Sequence, residues 1–207
     1  MNPPAYRLLP LVALIPLSLA GGLSRSAAAA LDASVSDPVE ANDGWEVVTQ
    51  GKFIGGTAGL APEKGAAFFD GRNTLDTRPP ATNRGAARFF KGVTVEPGLW
   101  EITLSVGKFP DLDFITNLSV TLLADTDGAG VYKWSQRIPR APQKEERPLP
   151  PDGGWARWTC VFRIEPGAQT GGGKPAIGAP LGLLILSNTR KDTGFAFDNV
   201  EIRRVAD

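Results

Sequence analysis

The chain has 207 residues, with 22 Lys and Arg against 22 Asp and Glu, no His, one Cys and one Met. Without His there is no Ser-His-Asp or Cys-His nucleophile system and no His-ligated metal, and a lone Cys closes no internal disulfide and builds no thiolate zinc site. Balanced charge argues against a nucleic-acid binder, and 24 Gly with 18 Pro, about a fifth of the chain, mark a folded, turn-rich protein rather than a disordered one.

Residues 1–30 read as a secretory signal. A short n-region with Arg7 is followed by an apolar run from Leu8 to Ala20 and then by small residues. Pro10 and Pro16 break that run, which is too short to span a bilayer. Cleavage is expected after Ala30, with Ala20 as the other site. The mature chain, residues 31–207, then loses Arg7 and Arg25 and keeps 20 basic against 22 acidic residues, a formal charge of −2. Its length suits a single domain. No anchor is read after Val205, so the expected location is periplasmic or extracellular, with no transmembrane span once the signal is removed.

Downstream, the hydrophobic period is two residues, the signature of half-buried strands. Trp100, Ile102, Leu104 and Val106 alternate with Glu101, Thr103 and Ser105. Leu118, Val120 and Leu122 repeat the pattern, with Leu123 on the other face. Ala156, Trp158, Cys160, Phe162 and Ile164 do so again, which turns Cys160 inward as a small hydrophobe. Leu181 to Leu186 is apolar at nearly every position, as in a strand covered on both faces. The last run, Phe195 to Val205, alternates through Ala196, Asp198, Val200 and Ile202. Gly71–Gly85, Pro139–Gly154 and Pro166–Pro180 are read as loops. No helical period of useful length follows residue 31. The expected fold is all-β, a two-sheet antiparallel sandwich of jelly-roll type.

Three segments carry a family resemblance. Asp37-Pro38-Val39-Glu40-Ala41-Asn42-Asp43-Gly44-Trp45, Val95-Glu96-Pro97-Gly98-Leu99-Trp100 and Phe197-Asp198-Asn199-Val200 resemble the opening, the turn before a middle strand and the closing strand of galactose-binding-like jelly rolls. The nearest likeness is to the family 4 and 9 carbohydrate-binding modules. Val39 stands where that family usually has Phe, and Trp100 where it has Tyr. The resemblance implies a carbohydrate ligand and a structural calcium joining first and last strands, with Glu40 and Asp198 at its ligand positions. The chemistry suits Ca²⁺, which takes carboxylate and carbonyl oxygens. The other reading is that Asp198 caps backbone amides and Glu40 is solvated.

Among other motifs, Asp125-Thr126-Asp127-Gly128 opens like a calcium loop, but its twelfth position is Gln136 and the pattern fails; a turn explains Asp-Gly more simply. Asp111 and Asp113 are candidate acid–base carboxylates or a solvated loop. Gly171-Gly172-Gly173-Lys174 lacks phosphate-loop spacing and reads as a flexible loop. Sugar rings stack their C–H faces on Trp or Tyr. Trp155 sits at a loop-to-strand junction, and Tyr132 and Trp134 lie two apart, forming a stacking platform if they face outward and core if they face inward. Tyr132, Trp134 and Trp155 are therefore the candidate contacts of an exported, non-catalytic sandwich binding polysaccharide or cell-envelope glycan. The alternatives are a carboxylate-based cyclase or lyase on the same scaffold, with Asp111, Asp113 or Asp198 as the acid, and a purely structural surface protein.

Overall fold

The computed structural model describes residues 34–37, 39, 44–57, 59–73, 82–115 and 117–206; residues 1–30, expected to be a signal, and Glu40 lie outside these residues. Thirteen strands occur in order among them. They are β1 (Ser34–Asp37), β2 (Glu46–Val47), β3 (Lys52–Ile54), β4 (Phe68–Asp70), β5 (Thr82–Thr94), β6 (Gly98–Gly107), β7 (Asp113–Phe114), β8 (Ser119–Ala124), β9 (Lys144–Glu146), β10 (Trp155–Ile164), β11 (Pro180–Thr189), β12 (Thr193–Gly194) and β13 (Ala196–Val205). The first sheet runs β3-β4-β13-β6-β10-β9, with β1 also paired to β13; the second runs β2-β5-β11-β8. Both are antiparallel, and the short pair β7–β12 is parallel. From β5 onward the long strands alternate between the two sheets, so each closes the core its predecessor opened.

The alternation decides which side chains meet in the middle. Trp100, Ile102, Leu104 and Val106 of β6 lie with Trp158, Cys160, Phe162 and Ile164 of β10 in one buried cluster. Val120 and Leu122 of β8 and Leu181, Leu183 and Ile185 of β11 join it from the opposite sheet. Burying such side chains yields about 1.5–3 kcal/mol each, which makes this layer the main source of stability. Cys160 is buried and unpaired by any disulfide, and burial pushes its thiol up to about 12.

Three features depart from the sequence reading. Strand β5 extends back to Thr82, into a segment expected to be loop, and Lys144–Glu146 forms an edge strand inside another. The β5 residues Gly85-Ala86-Ala87 carry little hydrophobic signal because the space is small: a Cβ on Gly85 would lie 2.1 Å from the Ile185 carbonyl oxygen. The third departure is a break of parity in β13. Register against β6 shifts between Asp198 and Glu201, and Asn199 takes φ +46°. Asn tolerates this left-handed conformation better than most residues. Phe197 before the bulge and Val200 after it both face the core, so Asp198 lands on the outer face opposite Ser105. No helix among the described residues is long and apolar enough to cross a membrane.

Candidate functional site

The outer face of the second sheet is apolar at its centre. Ala87 of β5, Leu123 of β8 and Leu184 of β11 form a separate buried cluster there, flanked by Val48, Phe89, Tyr132 and Leu186. Phe89 lies over Gly182, where any Cβ would meet its ring at 2.5 Å. Along the same face, register adds Thr121 beside Leu184, Ser119 beside Leu186 and Asn83 opposite Asn188. The result is a surface with an aromatic, aliphatic middle and a hydroxyl- and amide-bearing end.

Tyr132 reaches this face because the loop after β8 is built to bring it there. Asp125 is buried; its Oδ2 accepts the Gly130 N–H at 2.8 Å and its Oδ1 accepts Gln136 Nε2–H at 3.0 Å. Gln136 donates also to Asp127 Oδ1 at 3.1 Å, while its Oε1 accepts the Lys133 N–H at 2.7 Å. An amide donor thus stands between the two carboxylates, where a calcium loop would place a cation, and the failed twelfth position has a structural use. The Lys133 ammonium pairs with Asp127 and holds its carboxyl down at about 2. The main-chain N–H of Tyr132 donates to Glu46 on β2, pinning the loop against that strand.

The alternation of Tyr132 and Trp134 does not mark a strand. The segment is a turn followed by a 3-10 helix, Trp134–Gln136, and the chain returns beside β8 only at Arg137 and Ile138. Tyr132 packs on the outer apolar cluster, and burial pushes its phenol up; its hydroxyl oxygen is buried without a hydrogen-bond partner among the described residues. Trp134 keeps 57% of its surface exposed. The Arg137 guanidinium lies 3.2 Å from the centroid of its ring, and Arg137 Nε–H donates to the Trp134 carbonyl at 3.2 Å. This cation–π contact fixes the indole from one side. The glycine run is not a free loop either: Gly171 and Gly172 N–H donate to the Arg137 and Ser135 carbonyls at 2.7 and 2.9 Å, buttressing the Trp134 turn.

Trp155 does not join them. It lies on the outer face of the first sheet, where register sets it opposite Gly107. Its indole N–H donates to the Ala61 carbonyl at 2.9 Å, and its ring meets Phe68 edge-on at 5.5 Å. Together with Leu60, Phe109 and Ala196 it belongs to a satellite core.

Asp198 is fully buried beneath the chain at 63–64. Its Oδ2 accepts the N–H groups of Glu63 and Lys64 at 2.8 and 3.0 Å, and its Oδ1 accepts that of Asn199 at 2.7 Å. Burial nevertheless raises its carboxyl to about 6, outweighing these donors. Three main-chain donors aimed at one carboxylate are an amide-capping arrangement that engages both oxygens. The other expected ligand, Glu40, lies outside the described residues. Among the described residues no group of three or more Asp, Glu or Cys is placed to hold a metal ion. Asp111 and Asp113 border an open cavity with Lys108, Asp152 and Asp192.

Sequence reasoning missed Phe89 and Arg137. Phe89 sits in a segment without alternation, although the adjoining Phe90 is core. Arg137 had a signal, an Arg three residues after an exposed Trp within a helical turn.

No protein-family model and no curated protein matches the sequence. Solved structures do resemble the fold. A family 22 xylan-binding domain from Paenibacillus barcinonensis aligns over 84% of this chain and 94% of its own, at 17% identity and TM-score 0.42. The family 11 carbohydrate-binding module of a Clostridium thermocellum cellulosomal cellulase aligns over 83% and 94%, at 14% identity and TM-score 0.44. The K1 cleaved adhesin domain of Lys-gingipain from Porphyromonas gingivalis aligns over 84% and 99%, at 12% identity and TM-score 0.47. The all-β antiparallel sandwich rests on the strand pairing itself.

Proposed function

We propose that this protein is a non-catalytic glycan-binding module whose contact surface is the outer face of the second sheet with the Tyr132–Trp134 loop at its edge. The observation that carries the reading is Trp134: a large indole held half in solvent on a loop braced by Asp125, Gln136 and the 171–172 turn. Exposing an aromatic on a rigid support forgoes burial energy, which is offset when a ligand covers it. The C–H face of a sugar ring is such a ligand, and Thr121, Ser119, Asn83 and Asn188 supply donors and acceptors for its hydroxyls. Trp155 is left out of this surface by its place on the other sheet.

The experiment is co-sedimentation of wild type and Trp134→Ala with insoluble polysaccharides. The variant is expected to fold with an unchanged melting temperature and to lose at least about tenfold in affinity, roughly 1.4 kcal/mol, as central aromatic contacts do. Equal retention removes Trp134 from the contact surface.

Three finer statements belong to the same reading. Export depends on cleavage within residues 1–30, which N-terminal sequencing of the mature protein checks. The assignment to galactose-binding-like modules of the family 4 and 9 type rests on the three motifs. A structural calcium on Glu40 and Asp198 requires Glu40 to complete a shell that Asp198 alone does not form, and melting in calcium against chelator tests it.

A further inference from the structure

We propose that the cavity between β3, β4 and β5 is an oxyanion site, suited to the carboxylate of an acidic sugar. It encloses about 280 Å³ and is lined by Gly51, Lys52, Asp70, Arg72 and Arg84. That volume is just below the roughly 300–1,000 Å³ of small-molecule pockets and fits one charged group or monosaccharide rather than a chain.

Three cations and one carboxylate line the cavity, an excess of two positive charges. The carboxylate is already committed. Asp70 accepts from Arg72 Nε at 3.0 and 3.1 Å, from Arg72 Nη2 at 2.7 Å and from the Arg72 main-chain N–H at 3.0 Å. Arg72 is fixed further by Thr57 Oγ1 at 3.2 Å and by the Phe109 ring, 4.6 Å from its guanidinium carbon. Asp70 therefore spends its hydrogen bonds on Arg72, and among the described residues no carboxylate is bonded to Arg84.

Arg84 is the unusual member. It is 7% exposed, and its Nη2 donates to Asn73 Oδ1 at a long 3.3 Å. Its Nε is buried with no hydrogen-bond partner among the described residues. A buried cation is ordinarily paired, because desolvating it alone is expensive and an unmet donor adds to the penalty. Burial pushes the Arg84 guanidinium down from its ordinary value, while the Asp70 charge acts against that. Lys52 is exposed and stands opposite Asp70 in the β3–β4 ladder, so it can close over a group seated on Arg84. Arg and Lys donors converging on one hollow are the arrangement that binds carboxylate, sulfate or phosphate oxygens.

The cavity adjoins the polar end of the proposed glycan surface. The Gln50 carbonyl accepts the Gly85 N–H at 3.3 Å, Thr49 Oγ1 donates to the Asn83 carbonyl, and the next residue, Gly51, lines the cavity. That the anion is carried by a sugar rests on the glycan reading above; affinity for an oxyanion does not.

The test is isothermal titration of the full chain with glucuronate, sodium sulfate and glucose, at one ionic strength set with chloride. Glucuronate is expected to bind and glucose not to bind, with Lys52→Gln weakening glucuronate about tenfold and Arg84→Gln abolishing it. Should Arg84→Gln fail to fold, the exposed Lys52→Gln still decides. Preference for glucuronate over sulfate assigns the site to an acidic sugar, and the reverse preference assigns it to a free inorganic anion. No heat from either anion, or equal binding by wild type and both variants, overturns the proposal. Neutral polysaccharide retention, measured beside it, is expected to survive Lys52→Gln; its absence from wild type while anion binding persists removes the glycan reading alone.

Discussion

Replacing Tyr132 by Phe is expected to stabilise the fold and weaken binding. The Tyr132 ring lies on Ala87, Leu123 and Leu184, and Phe keeps all of that contact. What Phe removes is a hydroxyl that is buried and has no hydrogen-bond partner among the described residues. Leaving such a group unsatisfied costs about 1–3 kcal/mol, and the lower half of that range suits a side chain whose ring is only half buried. The gain on substitution is thus about 1–2 kcal/mol, which for a domain of this size raises the melting temperature by roughly 2–8 °C. A sugar that displaces the cover over this hydroxyl gives it a partner, so the same change lowers affinity by about 1 kcal/mol, some fivefold. Thermal denaturation with circular dichroism measures the first effect and titration with a retained soluble oligosaccharide the second. A variant that melts at or below the wild-type temperature shows that the hydroxyl is satisfied in the free protein, and the argument fails. This opposition of stability and affinity is the expected signature of a polar group reserved for a ligand.

Trp155→Ala should behave in the opposite way: loss of the Ala61 hydrogen bond and the Phe68 contact costs about 3 kcal/mol in chemical denaturation, with glycan retention per folded molecule unchanged. Lost retention in a fully folded variant would place Trp155 on the contact surface after all. The buried Cys160 thiol, raised to about 12, should not react with a thiol reagent at pH 8 until the protein unfolds, and labelling of the native state within minutes would contradict its core position. In chelator, the raised Asp198 carboxyl makes folding favour its protonated form. Its contribution is therefore fully present below about pH 4, falls as pH rises through about 6 and is flat beyond. The upper bound is about 3 kcal/mol before solvent screening, read as the difference between wild type and Asp198→Asn across pH. Calcium held at Asp198 would erase that fall, and identical curves in calcium and chelator would argue against the ion.

The strands that face one core and one solvent layer were legible because their side chains keep strict alternation; β6 and β10 extend their sequence-read spans by at most two residues. Strand β5 was hidden by Gly85, Ala86 and Ala87, residues chosen by close backbone approach to β11 rather than by hydrophobicity. Parity failed at Asp198 because a single left-handed residue, Asn199, exchanges the faces of the strand. Asp198 was expected inward and is buried, but under the chain at 63–64 on the outer face instead of within the sandwich. For the site, Tyr132 and Trp134 were visible as aromatics, yet their directions depend on Asp125, Asp127, Lys133 and Gln136, a network of loop contacts with no period to read. Trp155 drew notice for its place at a strand entry, and only the pairing of β10 with β6 sets it on the opposite side of the molecule.

The most direct measurement is retention of the protein on a panel of neutral and acidic insoluble polysaccharides, with Trp134 fluorescence followed on soluble fragments of whichever is retained. Selective retention is expected, with a blue-shifted and partly protected Trp emission on binding and loss of both in Trp134→Ala. A folded wild-type chain that is retained on no polysaccharide, with an emission spectrum unmoved by any fragment, would contradict the glycan reading.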